Sequence, residues 1–349
     1  MKFALFSLMS NIPHALTGEQ LTDQQKFNNV LRQAELAEEL GYDAYGIGER
    51  HGEPFLSSSP AIVLTAIAAR TARIRLLTTV TVLSVLDPVR VAEDYATLDH
   101  LSGGRLELII GKGNDPRHYP LFGLQEEEQW DSMEERYELL RRLWREEKVT
   151  WSGRYRPALH EFTSQPRPYQ RQIPIWHGSA SSTRSTELAA RYGEPIFSSN
   201  TFHRLDTYRD LIDHYRERLA HYGHDPSQAM VGAGAGALYL ADTAEEAIRR
   251  YRPYYDSFQG TDAAKHNNSP FRGLEDNIAN GPALVGSPDQ VIEKILYYHQ
   301  AFGHQVLGLS VDGLTESEQQ EQLERFATEV APILRREIPS TIWQSKQLI

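Results

Sequence analysis

Short apolar runs alternate with stretches whose apolar side chains recur every three or four positions, and the alternation persists along all 349 residues. Lys2 to Leu8 reads as a buried strand. Phe27, Val30, Leu31, Ala34 and Ala37 then share one face of a helix, closed by Gly41 at the position that favours a left-handed residue. Asp43 to Gly48 forms a second strand, and Pro60 to Thr71 a second helix with Ser59 as its cap and Pro60 in its first turn. Ile74 to Leu83 and Pro88 to His100 repeat the order, with Asp87 marking the helix start.

Arg105 to Gly111 is the fourth strand. An irregular stretch to about Gln129 separates it from a charged helix with Met133, Tyr137, Leu140 and Trp144 on one face. Pro174 to Ser179 and Pro195 to Asn200 are the fifth and sixth strands, followed by helices over Thr183 to Tyr192 and along Leu205, Tyr208, Leu211, Ile212, Tyr215 and Leu219. Met230 to Ala241 is the seventh, with Asp242 capping a helix from Thr243, and a helix from Pro288 leads to an eighth strand, Gln305 to Gly313. This alternation predicts parallel strands with helical crossovers, closed into a (β/α)₈ TIM barrel rather than an open doubly wound sheet. One domain over residues 1–349 is expected, with insertions at about 150–172 and 260–286, the second placed as a lid at the barrel mouth.

Composition narrows the partners. Forty per cent apolar and 24 per cent charged residues suit a globular chain with a large core. A net charge of minus 11 makes nucleic acid a poor partner. With no Cys, thiolate nucleophiles, disulfides and Cys-bound metal centres are excluded. MKFALFSLMSNIPHAL mixes Ser, Asn and Pro into its apolar run and lacks a small-residue cleavage site, so it reads as a first strand rather than a signal peptide. No run approaches about 18 apolar residues, so no membrane span is expected and the protein is read as cytoplasmic.

Candidate chemistry gathers where strands give way to loops, the face on which barrel enzymes work. GERHGE, Gly48 to Glu53, puts Glu49, Arg50 and His51 directly after the second strand. His51 can act as acid or base near neutral pH; the plainer reading is a structural or solvated histidine. Gly111-Lys112-Gly113 lacks the spacing and the hydroxyl of a triphosphate loop, and spacing alone leaves it balanced between a turn and an anion contact. HGSASSTRSTE, His177 to Glu187, supplies a run of hydroxyls and Arg184 at a strand-to-helix junction, which suits a monophosphate, redundant capping being the alternative. Gly232, Gly234 and Ala237 formally fit a dinucleotide pattern, but they lie inside a strand and read better as small residues that let a neighbour approach the wall. Nothing suggests a metal site.

The order of these pieces resembles the bacterial luciferase-like family of flavin-dependent monooxygenases over nearly the whole chain. Most of the likeness lies in AARTARIRLLTTVTVLSVLDPVRVAEDYATLDHLSGGRLELIIGKG, Ala68 to Gly113. AEELGYDAYGIGERH (Ala37 to His51), STELAARYGEPI (Ser185 to Ile196) and VGSPDQVIEKI (Val285 to Ile295) keep the family's order. The resemblance implies reduced FMN supplied by a separate NAD(P)H-dependent flavin reductase, addition of O2 at the flavin C4a carbon, oxidation of a small or medium organic substrate by the resulting peroxide, and a homodimer. By position, Lys112, Ser181, Ser182 and Ser185 would meet the FMN phosphate, with Arg184 assisting, and Thr79 and Val80 would back the flavin ring at a bulge that holds a non-prolyl cis peptide in relatives. His51 and Arg50 would work near the oxygen, and Phe202 and His203 would shape the substrate pocket.

Luciferases carry Glu-His-His after the second strand, with the first His as base; here Arg50 occupies that place. Arg50 would then stabilise a developing peroxide anion or a substrate carboxylate, or else simply pair with Glu49 or Glu53. Two further readings keep the fold: hydride transfer with a deazaflavin coenzyme, and a flavin-binding relative without activity.

Overall fold

The computed structural model describes residues 1–261 and 269–343. Its strands are β1 (Lys2–Ser7), β2 (Ala44–Ile47), β3 (Arg75–Thr78), β4 (Thr81–Val82), β5 (Leu106–Gly111), β6 (Val149–Trp151), β7 (Leu159–Phe162), β8 (Ile175–Ser179), β9 (Ile196–Ser198), β10 (Val231–Gly234), β11 (Leu238–Leu240), β12 (Leu284–Gly286) and β13 (Val306–Leu309). The order β3-β2-β1-β13-β10-β9-β8-β5-β4 closes on itself because β3 also pairs with β5, and every pairing in it is parallel. β3 and β4 share the third position, so this is the predicted (β/α)₈ barrel. Its strands are continuous apolar runs because helices cover the outside of the sheet while side chains fill the inside.

Inward-facing residues Ala4, Ala44, Leu77, Ile109, Trp176, Phe197 and Val306 form one cluster, against which Ile342 and Trp343 pack. Phe6 of β1 reaches Phe197 of β9 at 5.3 Å between ring centroids, although two strands separate them in the sheet. The lumen is therefore a packed core. Within it Glu107 takes Arg75 at 2.8 Å and the Trp176 indole N–H at 2.7 Å. No helix among the described residues is long and apolar enough to cross a membrane.

Helix starts follow side-chain chemistry. Asp87 accepts from the Val89 N–H ahead of Pro88, as predicted, and capping boxes open the helices Asp23–Glu39, Pro288–Phe302 and Glu316–Arg325. Two cap expectations are corrected. Ser59 precedes Pro60 but its backbone, with ψ at 70°, makes no side-chain cap. Thr243, not Asp242, caps Ala244–Gln259 by accepting from Glu246 N–H, while Asp242 receives Arg325.

The expected seventh strand also divides. β10 stays in the barrel, and β11 leaves it to pair with β12. The small residues of GAGAGA are what the close packing requires: a Cβ at Gly232 would sit 2.3 Å from the Phe197 ring, and one at Gly234 would sit 2.2 Å from the Ser199 carbonyl oxygen. The first insertion holds the antiparallel hairpin β6–β7. Of the expected lid at 260–286, residues 262–268 lie outside the described residues; the helix Leu274–Asn280 and β12 make up half of the rest.

Candidate active site

All the predicted site residues follow the C-terminal ends of barrel strands, and the first cluster forms where β2 meets the break between β3 and β4. Thr79 donates its N–H to Ile47 O at 2.9 Å, and the Thr79–Val80 peptide is cis, as the resemblance implied. Glu49 is buried against this break. Its N–H donates to Val80 O at 3.1 Å, and its Oε2 accepts from Val82 N–H at 2.9 Å. Its other oxygen lies 2.9 Å from Nε2 of His51. Donation of the Nε2 proton to the carboxylate leaves the His51 Nδ1 with its lone pair, the form of imidazole that accepts a proton. A Cβ at Gly48 would sit 2.8 Å from the Thr79 carbonyl oxygen, so the close approach of the two loops depends on that glycine.

Arg50 does not pair with Glu49, both of whose oxygens are engaged. Among the described residues its guanidinium has no carboxylate partner, and it lies 5.3 Å from the Phe55 ring centroid. Burial lowers its pKa, with Asp115 opposing and Arg117 reinforcing the effect. Behind it stands a group that sequence reasoning missed. His118 packs edge-on against His51 at 5.2 Å, and its Nε2 lies 3.3 Å from the His51 backbone nitrogen and 3.5 Å from Asp115. Asp115 itself is held by Arg117; burial would raise its carboxyl, but these hydrogen bonds bring it down to about 2. Phe122 closes over the other edge of His51 at 4.8 Å.

Thr79 and Val80, both half-buried, form a ledge at the mouth. The Val80 side chain lies over Gly111 and Gly178: Cβ atoms there would stand 3.0 Å and 2.8 Å from its methyls. Thr79 Oγ1 is buried with no hydrogen-bond partner among the described residues, as are the Ser198 and Ser199 hydroxyls.

Lys112 donates to Gly113 O at 2.9 Å and lies 5.8 Å from the Trp130 ring, whose other neighbour is Arg184 at 5.5 Å. Trp130 thus joins the two predicted halves of the phosphate contact. Burial lowers the Lys112 pKa, with Glu126 opposing. The hydroxyl run divides its labour. Ser182 caps the helix Thr183–Tyr192, Ser185 donates to Ser182 O at 2.9 Å, and Ser181 is exposed. Arg184 turns to Asp131 at 3.0 Å and Glu134 at 2.8 Å, so its charge is already matched by carboxylates. Phe202 and His203 lie after β9, where their N–H groups donate to the Tyr208 hydroxyl at 3.2 and 3.3 Å. Beyond Phe122, a cleft of about 550 Å³ is lined by residues including Leu124, Arg136, Tyr155 and Pro157.

A closed parallel barrel with its polar groups gathered at one mouth defines the class, and the comparisons give the family. The chain belongs to the luciferase-like monooxygenase family, whose model matches residues 1–305. It is 28% identical over 323 residues to a 4-hydroxyprotoasukamycin monooxygenase of Streptomyces nodosus subsp. asukaensis, covering 86% of this chain and 85% of that one. It is 23% identical to the oxygenase component of a flavin-dependent trigonelline monooxygenase of Acinetobacter baylyi, over 95% of both chains. Among solved structures, the monooxygenase RslO1 from Streptomyces bottropensis superposes with a TM-score of 0.80 at 28% identity, covering 95% of this chain and 99% of that one. The protein is a monooxygenase of this family.

Proposed function

We propose that this chain is the oxygenase of a two-component system: it binds reduced FMN made by a separate NAD(P)H-dependent reductase and directs one atom of O2 into a small or medium organic substrate. The observation that carries the reading is the Glu49–His51 pair, held by Glu49 against the Thr79–Val80 ledge at the barrel mouth. The donor set fits a flavin mononucleotide. Thr79 and Val80 offer a flat backing with an unpartnered hydroxyl, and Lys112 with the Ser182–Ser185 turn offers a cation and hydroxyls for one phosphate. When bound, reduced FMN supplies the electrons that activate oxygen.

The chain's own residues do the rest. His51 takes or returns a proton at Nδ1, and Glu49 fixes the tautomer and steadies the imidazolium. Arg50 places a desolvated cation beside them, where it stabilises negative charge developing on oxygen or on a substrate carboxylate more strongly than it would in water. Phe202 and His203 contribute to the substrate wall. Support for the separate reductase comes from the relative named as an oxygenase component; homodimer assembly is checked by light scattering.

Anaerobic titration with reduced FMN, oxidised FMN and a reduced deazaflavin tests the reading. Reduced FMN should saturate the protein most tightly, and its later reoxidation by oxygen should follow a different course from that in free solution. Tighter binding of the deazaflavin, or a reoxidation course identical to free flavin, overturns the proposal.

A further inference from the structure

His118 presents one ring nitrogen to two partners that make opposite demands on it. Nε2 lies 3.3 Å from the backbone nitrogen of His51, which can only donate, and 3.5 Å from Oδ2 of Asp115, which as a carboxylate can only accept. With a lone pair on Nε2, the imidazole accepts the His51 N–H and carries its own proton on Nδ1, a buried atom without a partner among the described residues. With a proton on Nε2, it turns to Asp115 and must give up His51. The side chain is 3% exposed, so water does not mediate between the states freely.

We propose that His118 is a positioning residue for His51: in its neutral form it holds the His51 backbone against the ledge, and in its protonated form it pairs with Asp115 and releases that loop. The charged groups around it are Asp115 and Arg117 on its own loop, Arg50 and His51 on the facing loop, and Glu49 behind His51. Burial first, with the neighbouring Arg50 and His51 adding to it, keeps the imidazole below the ordinary histidine range against the pull of Asp115. The neutral, holding form therefore prevails at neutral pH, and release occurs on the acid side. A buried histidine that only fills space needs no ring nitrogen poised between a donor and a competing acceptor; this one has such a nitrogen.

The inference rests on His51 being the base of the proposed reaction, but its first readout needs no flavin. In the ligand-free protein, the His51 amide proton resonance should move upfield as His118 protonates, with a midpoint below that of an ordinary histidine. In His118→Gln, whose amide oxygen accepts the same N–H without titrating, that movement should vanish, and His51 amide exchange below the midpoint seen in the natural protein should be about fivefold slower than in the natural protein, the worth of one hydrogen bond of about 1 kcal/mol. With reduced FMN bound, the acid limb of its oxygen-dependent reoxidation should shift to lower pH in His118→Gln. His118→Ala should slow the reaction at neutral pH, where the natural protein holds the loop, and match the natural protein at the acid end, with flavin affinity retained. An amide that ignores pH, or an acid limb unmoved in His118→Gln, overturns the proposal. Failure of reduced FMN to bind would sink the functional reading, while the amide titration would still judge His118.

Discussion

At the residue scale, Lys112 and Glu49 carry the sharpest expectations. The Lys112 ammonium donates to the Gly113 carbonyl, and burial lowers its pKa. An arriving phosphate would favour the charged form, so flavin affinity should fall as pH rises through the lowered lysine pKa. Lys112→Ala should remove that alkaline fall. It should also weaken reduced-FMN binding by about 10- to 100-fold, the worth of a hydrogen bond to a charged group, with thermal unfolding little changed; calorimetric titration across pH checks both. Glu49→Gln keeps an oxygen for Val82 N–H but turns an NH2 toward His51 Nε2. That reverses the tautomer and covers the Nδ1 lone pair with a proton. Oxygen-dependent turnover should drop by about 100-fold or more, the range for loss of a general base, and a ¹⁵N imidazole spectrum should show the exchanged tautomer in a folded protein.

At the scale of elements, the ledge depends on what lies beneath it. A methyl at Gly178 would meet Val80 Cγ1 at 2.8 Å and the Ile110 carbonyl oxygen at 3.2 Å, and the backbone oxygen cannot yield as a side-chain tip can. Gly178→Ala should therefore lift Val80, cost about 1–3 kcal/mol as overpacking does, and weaken flavin binding. A drop in urea midpoint without any change in flavin affinity would show that Val80 does not back the ring. The same elements show how far the chain could be read unaided. Barrel strands were legible because burial on both faces makes them apolar runs, and Asp87 with Pro88 announced its helix. The departure of β11 from the barrel was not, since MVGAGAGALYLA has no break in period where β10 ends; the division is set by pairing with β12, far along the chain. His51 and Lys112 were visible as chemistry at strand ends. His118 and the role of Glu49 were not, because their meaning lies in partners 67 and 33 residues away.

At the scale of the whole molecule, acid stability turns on a group at the opposite end of the barrel from the mouth. His304, just before β13, is fully buried, and neither ring nitrogen has a partner among the described residues. Burial, with the neighbouring His299 and the chain's amino terminus adding to it, lowers its pKa to about 3. The folded state therefore refuses a proton that the unfolded chain accepts below about pH 6.5. Stability contributed by the neutral ring is full above that pH and drains away as pH falls toward 3, at up to about 1.4 kcal/mol per pH unit. Between pH 6.5 and 5 the loss approaches about 2 kcal/mol from this residue alone. His304→Leu removes both the proton acceptor and two unpaired polar atoms, so it should stabilise the protein at pH 7 by about 1–3 kcal/mol and by more at pH 5. Urea unfolding of both proteins at the two pH values measures the difference. An equal loss on acidification in the two would place the acid-sensitive group elsewhere in the barrel.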